Sequence, residues 1–163
     1  MRRRDREITD RNEIIRLIDV SKVCRLGLSD DGMPYIVPML YGYAEEDGQI
    51  VFYFHGARKG RKMDIIAKNP RACVELDMDE EFQVYPGKSA CEYSCTYASV
   101  IAFGKITVVE DPAVKRRALS LIMKQQTGED FEFTPEQANW VQVLRLPAEE
   151  VTGKRGNKKP TKA

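Results

Sequence analysis

One histidine, four closely spaced cations and two glycines fall within VFYFHGARKGRKMDIIAKNP, the stretch from Val51 to Pro70. His55 is the only histidine of the chain. An imidazole titrates near neutral pH and can hold or pass a proton. Arg58, Lys59, Arg61 and Lys62 follow it, with no carboxylate before Asp64. Gly56 and Gly60 let backbone approach a ligand closely. The apolar run before His55 reads as a strand and the residues after it as a helix. The cations therefore gather at a helix start, where unpaired N–H groups and the helix dipole add positive character. Such a junction suits a phosphate. Without a ligand, the same residues make a solvated cationic face.

Other residues of chemical interest give weaker signals. The cysteines are Cys24, Cys73, Cys91 and Cys95. No C-x-x-C pair and no histidine cluster accompanies them, so buried or inert thiols are expected rather than a metal site. Tyr41, Tyr43, Tyr93 and Tyr97 suit packing or stacking on a flat ring. Trp140 is expected in the core. The chain has 163 residues, 42% hydrophobic and 31% charged, with a net charge of +1. That size supports one domain with a substantial core. The balanced charge gives no global field toward nucleic acid or a membrane surface. Arg2, Arg3 and Arg4 lack a following apolar stretch, and no run approaches the ~20 apolar residues of a membrane helix. A cytoplasmic protein is expected, with one domain over residues 1–153 and a basic flexible tail over 154–163.

The elements that must position these residues follow from local signals. Asp10-Arg-Asn-Glu13 reads as a capping box opening a helix to about Val20. Val23 to Leu28 reads as a strand, followed by a turn at Asp30-Asp31-Gly32. Pro34 to Tyr43 is a second strand, with Tyr35, Val37, Met39, Tyr41 and Tyr43 on one face. Pro38 lacks an N–H and puts this strand at an edge or a bulge. Glu46-Asp47-Gly48 turns into the strand Ile50–Phe54, and the helix after His55 runs to about Lys68, ended by Asn69-Pro70. Ala72 to Met78 alternates as a strand, and Pro86-Gly87-Lys88 is a turn. Thr96 to Val109 is a long strand with a bend or close contact at Gly104. Asp111-Pro112 opens a helix that Gly128 ends. Thr134-Pro135 caps a short turn, and Trp140 to Leu146 is the final strand. Hairpins dominate, and no G-x-G-x-x-G follows the first strand. The order fits a small antiparallel barrel with helices outside it.

Taken in order, PYIVPMLYGY, the Asp47-Gly48 turn, IVFYFHGARKGRKMDIIAKNP and YASVIAFGK resemble the flavin-binding split-barrel proteins of the pyridoxamine 5'-phosphate oxidase-like group. The nitroimidazole-resistance branch is the most similar. The likeness spans roughly Asp10 to Arg155. It implies a mainly β fold, a six-stranded antiparallel split barrel with peripheral helices, forming a homodimer with FMN at the subunit interface. Position by position it implies that Val37, Pro38, Met39 and Leu40 line the flavin ring. His55 and Gly56 would lie along it. Gly60, Arg61 and Lys62 would hold the FMN phosphate, and Ser99 and Val100 would reach the flavin from the partner. In that branch a histidine at the place of His55 is thought to take part in reduction. The arginine-rich C-terminal segment of true pyridoxamine phosphate oxidases is replaced here by a lysine-rich tail, which argues against vitamin oxidation.

The resemblance therefore implies an FMN-dependent oxidoreductase. A nicotinamide donor would load electrons, and a small electron-poor acceptor such as a nitroaromatic would receive them. The alternative is a flavin- or haem-binding module without turnover. Nucleic-acid binding through Arg2 to Arg6 and the tail is a weaker third reading, and it predicts a strong salt dependence.

Overall fold

The computed structural model describes residues 3–83, 89–90 and 93–156. The expected turn at Pro86–Lys88, Cys91 and the tail from 157 onward lie outside the described residues. A short 3-10 turn, Arg4–Arg6, leads into β1 (Glu7–Ile8) and α1 (Arg11–Val20). Then come β2 (Val23–Asp30), β3 (Met33–Glu46), β4 (Gln49–Gly56) and α2 (Arg61–Lys68). They are followed by β5 (Arg71–Gln83), β6 (Ser94–Lys105) and β7 (Thr107–Val108). The chain continues through α3 (Pro112–Thr127) and α4 (Pro135–Ala138) to β8 (Gln142–Gly156).

Six strands close a ring in the order β8, β4, β3, β2, β5, β6 and back to β8, with every pairing antiparallel. The two-residue strands β1 and β7 pair onto β8. Alternation builds the barrel. Cys24, Leu26 and Leu28 of β2 point inward, as do Ile50, Phe52 and Phe54 of β4 and Ala98, Val100 and Ala102 of β6. Full burial of a Leu, Ile or Phe side chain is worth about 1.5–3 kcal/mol, so this interior dominates the favourable side of folding. Ile14, Leu17 and Ile18 of α1 and Ile65 and Ile66 of α2 pack against it. The opposite face of β4, Val51 and Tyr53, is buried under Ala118, Leu119 and Ile122 of α3. No helix among the described residues is long and apolar enough to cross a membrane.

The tyrosine face of β3 is as the alternation predicts. Met39 and Tyr41 are buried and Tyr35, Val37 and Tyr43 partly so, while Ile36, Pro38 and Leu40 are exposed. Gly104 marks a close contact: a Cβ there would sit 2.2 Å from the Pro147 carbonyl oxygen, and the β6–β8 register shifts beside it. Asp111 caps α3 at Ala113 and Val114, and Thr134 forms a full capping box with Gln137.

Three sequence expectations need correction. Trp140 is 76% exposed. It occupies the turn between α4 and β8, ahead of the β4–β8 register that begins at Gln142, and Ala138 is the residue buried there. The box at α1 is half made: Asp10 accepts from Asn12 N–H at 2.9 Å, while Glu13 turns away to the Arg155 guanidinium at 2.9 Å. The last strand extends past Leu146 to Gly156, so residues 154–156 belong to the sheet.

Candidate functional site

The barrel is split at one place. Residues Met33–Leu40 of β3 pair with β2, but pairing with β4 starts only at Tyr41. β4 meanwhile carries His55 and Gly56 beyond that pairing, against Val143 and Gln142 of β8. The first half of β3 is therefore a free edge beside the end of β4. Pro38 sits in that half, where one flank asks no donor of it. The start of α2 stands at the same place.

That helix start is open. Gly60 is its N-cap, with φ 128° and ψ 169°, a conformation that glycine alone adopts freely, and no side chain among the described residues caps the helix. The Gly60 carbonyl accepts from the N–H groups of Met63 and Asp64. The N–H groups of Arg61 and Lys62, first in the helix, have no intrahelical acceptor.

Of the four cations, Lys62 alone turns into the split. Its half-buried ammonium lies 3.2 Å from Met39 Sδ, the one hydrogen-bond acceptor it has among the described residues. A thioether is a weak acceptor for an ammonium. Burial pulls the Lys62 pKa below its usual value. Burial also lowers His55, and repulsion from Lys62 lowers it further, so the two groups share one electrostatic environment. Arg61 is engaged elsewhere, 3.3 Å from Asp30 Oδ2, with its guanidinium carbon 4.9 Å from the centre of the Tyr35 ring. Arg58 donates to the Asn139 carbonyl, and Lys59 is exposed.

The structure thus brings Val37, Pro38, Met39, Leu40, His55, Gly56, Gly60, Arg61 and Lys62 to one end of the barrel. Ser99 and Val100 are not among them. They lie on β6, across the ring from β3. Ser99 is partly exposed on the outer face, whereas the Val100 side chain is fully buried inside. Tyr97 lies two residues earlier on the same strand. Its hydroxyl accepts from Arg6 at 3.1 Å, and Lys154 stands 5.5 Å from its ring centre. The two cations, Arg6 first, lower its pKa. Asp30 and Tyr35, which fix Arg61, carried no local sequence signal, because they come from the turn end of another hairpin. Among the described residues no cluster of three or more His, Cys, Asp or Glu is placed to hold a metal. Cys24 is buried, with its thiol pushed up to about 12.

The pyridoxamine 5'-phosphate oxidase family matches residues 10–155, which include every element of the split. The chain belongs to this family. A candidate 5-nitroimidazole antibiotic resistance protein of Bacteroides thetaiotaomicron is 31% identical. It superposes with a TM-score of 0.78 over 91% of this chain and 86% of its own. The FAD- and haem-binding protein of Mycobacterium smegmatis has the same fold at 22% identity, with a TM-score of 0.79 over 97% and 77% of the two chains. A flavocytochrome of Azotobacter vinelandii does so at 18% identity, with a TM-score of 0.78 over 100% and 75%. No curated protein sequence matches the chain. As a member of the pyridoxamine 5'-phosphate oxidase family it keeps the ring of six strands and the split.

Proposed function

We propose that the protein is a homodimeric FMN-dependent oxidoreductase that passes electrons to a small electron-poor acceptor such as a nitroaromatic. Lys62 carries this reading. Among the described residues, its partly buried ammonium has only a thioether for a partner and stands at an uncapped helix start. Ion pairing is what normally keeps a lysine charged in such a place, and a phosphate would supply it. Flavin binding in the family, and in the two more distant relatives named above, supports FMN as the source of that phosphate.

The residues present fit such a ligand. Lys62 Nζ and the N–H groups of Arg61 and Lys62 would hold the phosphate, with Gly60 leaving room for it. Val37, Pro38, Met39 and Leu40 would flank the ring at the free strand edge. His55 would hold a proton on its imidazole beside it. Bound FMN would supply the electron chemistry. A second copy would bring its outward-facing Ser99 to this edge, with its Val100 anchoring the strand that presents it. A nicotinamide donor would load the electrons.

The visible spectrum of the purified protein tests the cofactor. A yellow protein that releases FMN on denaturation is expected, and a Soret band would overturn FMN in favour of haem. Lys62→Ala should weaken FMN binding about 10- to 100-fold, the worth of a hydrogen bond to a charged group. Its thermal midpoint should stay close to that of the parent. Unchanged affinity would remove Lys62 from the site. A module that only stores flavin or haem would use the same pocket, and it would hold stoichiometric ligand yet turn over with no reductant and acceptor.

A further inference from the structure

The ammonium of Lys62 reaches the split by crossing the end of β4. A Cβ built on Gly56 would lie 2.8 Å from Lys62 Nζ and 3.6 Å from its Cε, and among the described residues no other atom outside the chain neighbours comes within 4 Å. Gly56 is otherwise an ordinary strand residue. It pairs with Gln142 and does not have positive φ, so its backbone asks for no glycine. What the missing side chain provides is space for the tip of Lys62.

We infer that Gly56 is the positioning residue for the Lys62 ammonium, letting it lie across β4 within reach of Met39 and with His55 in its field. Its role is to admit the cation, and contact with a bound ring is not required of it. Alanine at 56 meets only the mobile end of a lysine, so the fold accommodates it and the ammonium moves. An anion that pairs with Lys62 would shield its repulsion of His55. Ligand binding and proton uptake at His55 are thereby coupled, and the coupling is reciprocal. Among the described residues, Lys62 is the one charged group that shifts His55. Of the neighbouring cations, Arg58 faces Asn139, Arg61 faces Asp30 and Tyr35, and Lys59 is exposed.

This inference deepens the phosphate reading, and its first test does not depend on that reading. The chain has one histidine, so an NMR titration gives a single imidazole curve in ligand-free protein. Gly56→Ala should raise the His55 pKa toward the ordinary imidazole value, and Lys62→Met should raise it as well. The two changes together should do no more than Lys62→Met alone. An unchanged His55 titration in either single variant overturns the inference. Lys62→Met keeps the glycine and a side chain of similar length, so its titration can still overturn the inference if Gly56→Ala misfolds. The second arm is FMN affinity. Gly56→Ala should weaken it about tenfold or more, as expected for a displaced charged donor, and should have no further effect in the Lys62→Met background. An equal loss in both backgrounds would mean that Gly56 touches the ligand directly, which overturns the positioning role. If His55 shifts and FMN affinity does not, the positioning stands and the phosphate assignment of Lys62 falls.

Discussion

At the residue scale the site is defined by what its charged groups lack. Arg58 and Arg61 have acceptors, whereas Lys62 has a sulfur. A cation left in that state stabilises a ligand more readily than it stabilises the fold. His55 feels the consequence. Its pKa is depressed by burial first and by Lys62 second. In the unfolded chain it titrates near 6.5. The unfolded state therefore takes up this proton at higher pH than the folded state does. Stability from His55 is present above about 6.5 and is lost as pH falls through the lower folded value. Wild type should lose urea stability relative to His55→Gln between about pH 7 and pH 5. Parallel stability curves for the two proteins would show that His55 is not perturbed. The sequence marked His55 and Lys62 through residue type and position at a strand–helix junction. It did not mark Met39 as the partner of Lys62, because a thioether next to an ammonium follows no pairing rule and the contact joins residues 23 apart.

At the element scale two glycines test different things. At Gly42 on β3, a Cβ would lie 2.4 Å from the Leu121 carbonyl carbon and 2.5 Å from the Ile122 nitrogen. This is backbone of α3, which cannot step aside as the tip of Lys62 can. Gly42→Ala should therefore cost roughly 1–3 kcal/mol or more, the range for overpacking a close contact, read from urea unfolding. A change below about 0.5 kcal/mol, the range of a neutral surface substitution, would mean that α3 is not seated on β3 as described. The sequence carried the short hairpins and caps well, since Asp111-Pro112, Thr134-Pro135 and the Asp-Gly turns are local devices. It carried strand ends poorly. The final strand read as ending at Leu146 because Pro147 and the acids Glu149 and Glu150 break the pattern of a strand. Pro147 instead lies opposite Val51 just where β8 leaves β4 to join β6, and the register shift beside Gly104 absorbs the irregularity. Ring closure forms that second half, and no single strand pair encodes it. Trp140 departs from expectation for a related reason: a large aromatic after a helical turn suggests a core anchor, yet the chain does not enter the sheet until two residues later.

At the scale of the whole molecule, the outer face of β3, β2, β5 and β6 raises a question that one copy of the chain leaves open. Ile36 is 65% exposed, Leu40 46% and Phe103 46%. A cleft of about 540 Å³ runs from Ile36 over Gly27 and Cys73 to Phe103, and its lining comes from strands alone. Contiguous exposed apolar surface of this kind marks an interface. The free edge at Pro38 and Leu40 belongs to the same face, and so does Ser99, so covering the face with a second copy would complete the proposed site from two chains. A two-fold arrangement is the common way to bury a self-complementary patch. Ile36→Glu places a carboxylate at the middle of that patch while leaving Lys62, His55 and the barrel interior untouched. It should convert a dimer into a folded monomer by sedimentation and lower FMN affinity with it. A variant that stays dimeric would move the interface to another face. One that becomes monomeric but keeps full FMN affinity would show that each barrel holds its ligand alone. Loss of both together is expected if the split is closed by the neighbouring subunit, since in the proposed arrangement one barrel would hold the phosphate and the second would cover the other side of the β3 edge.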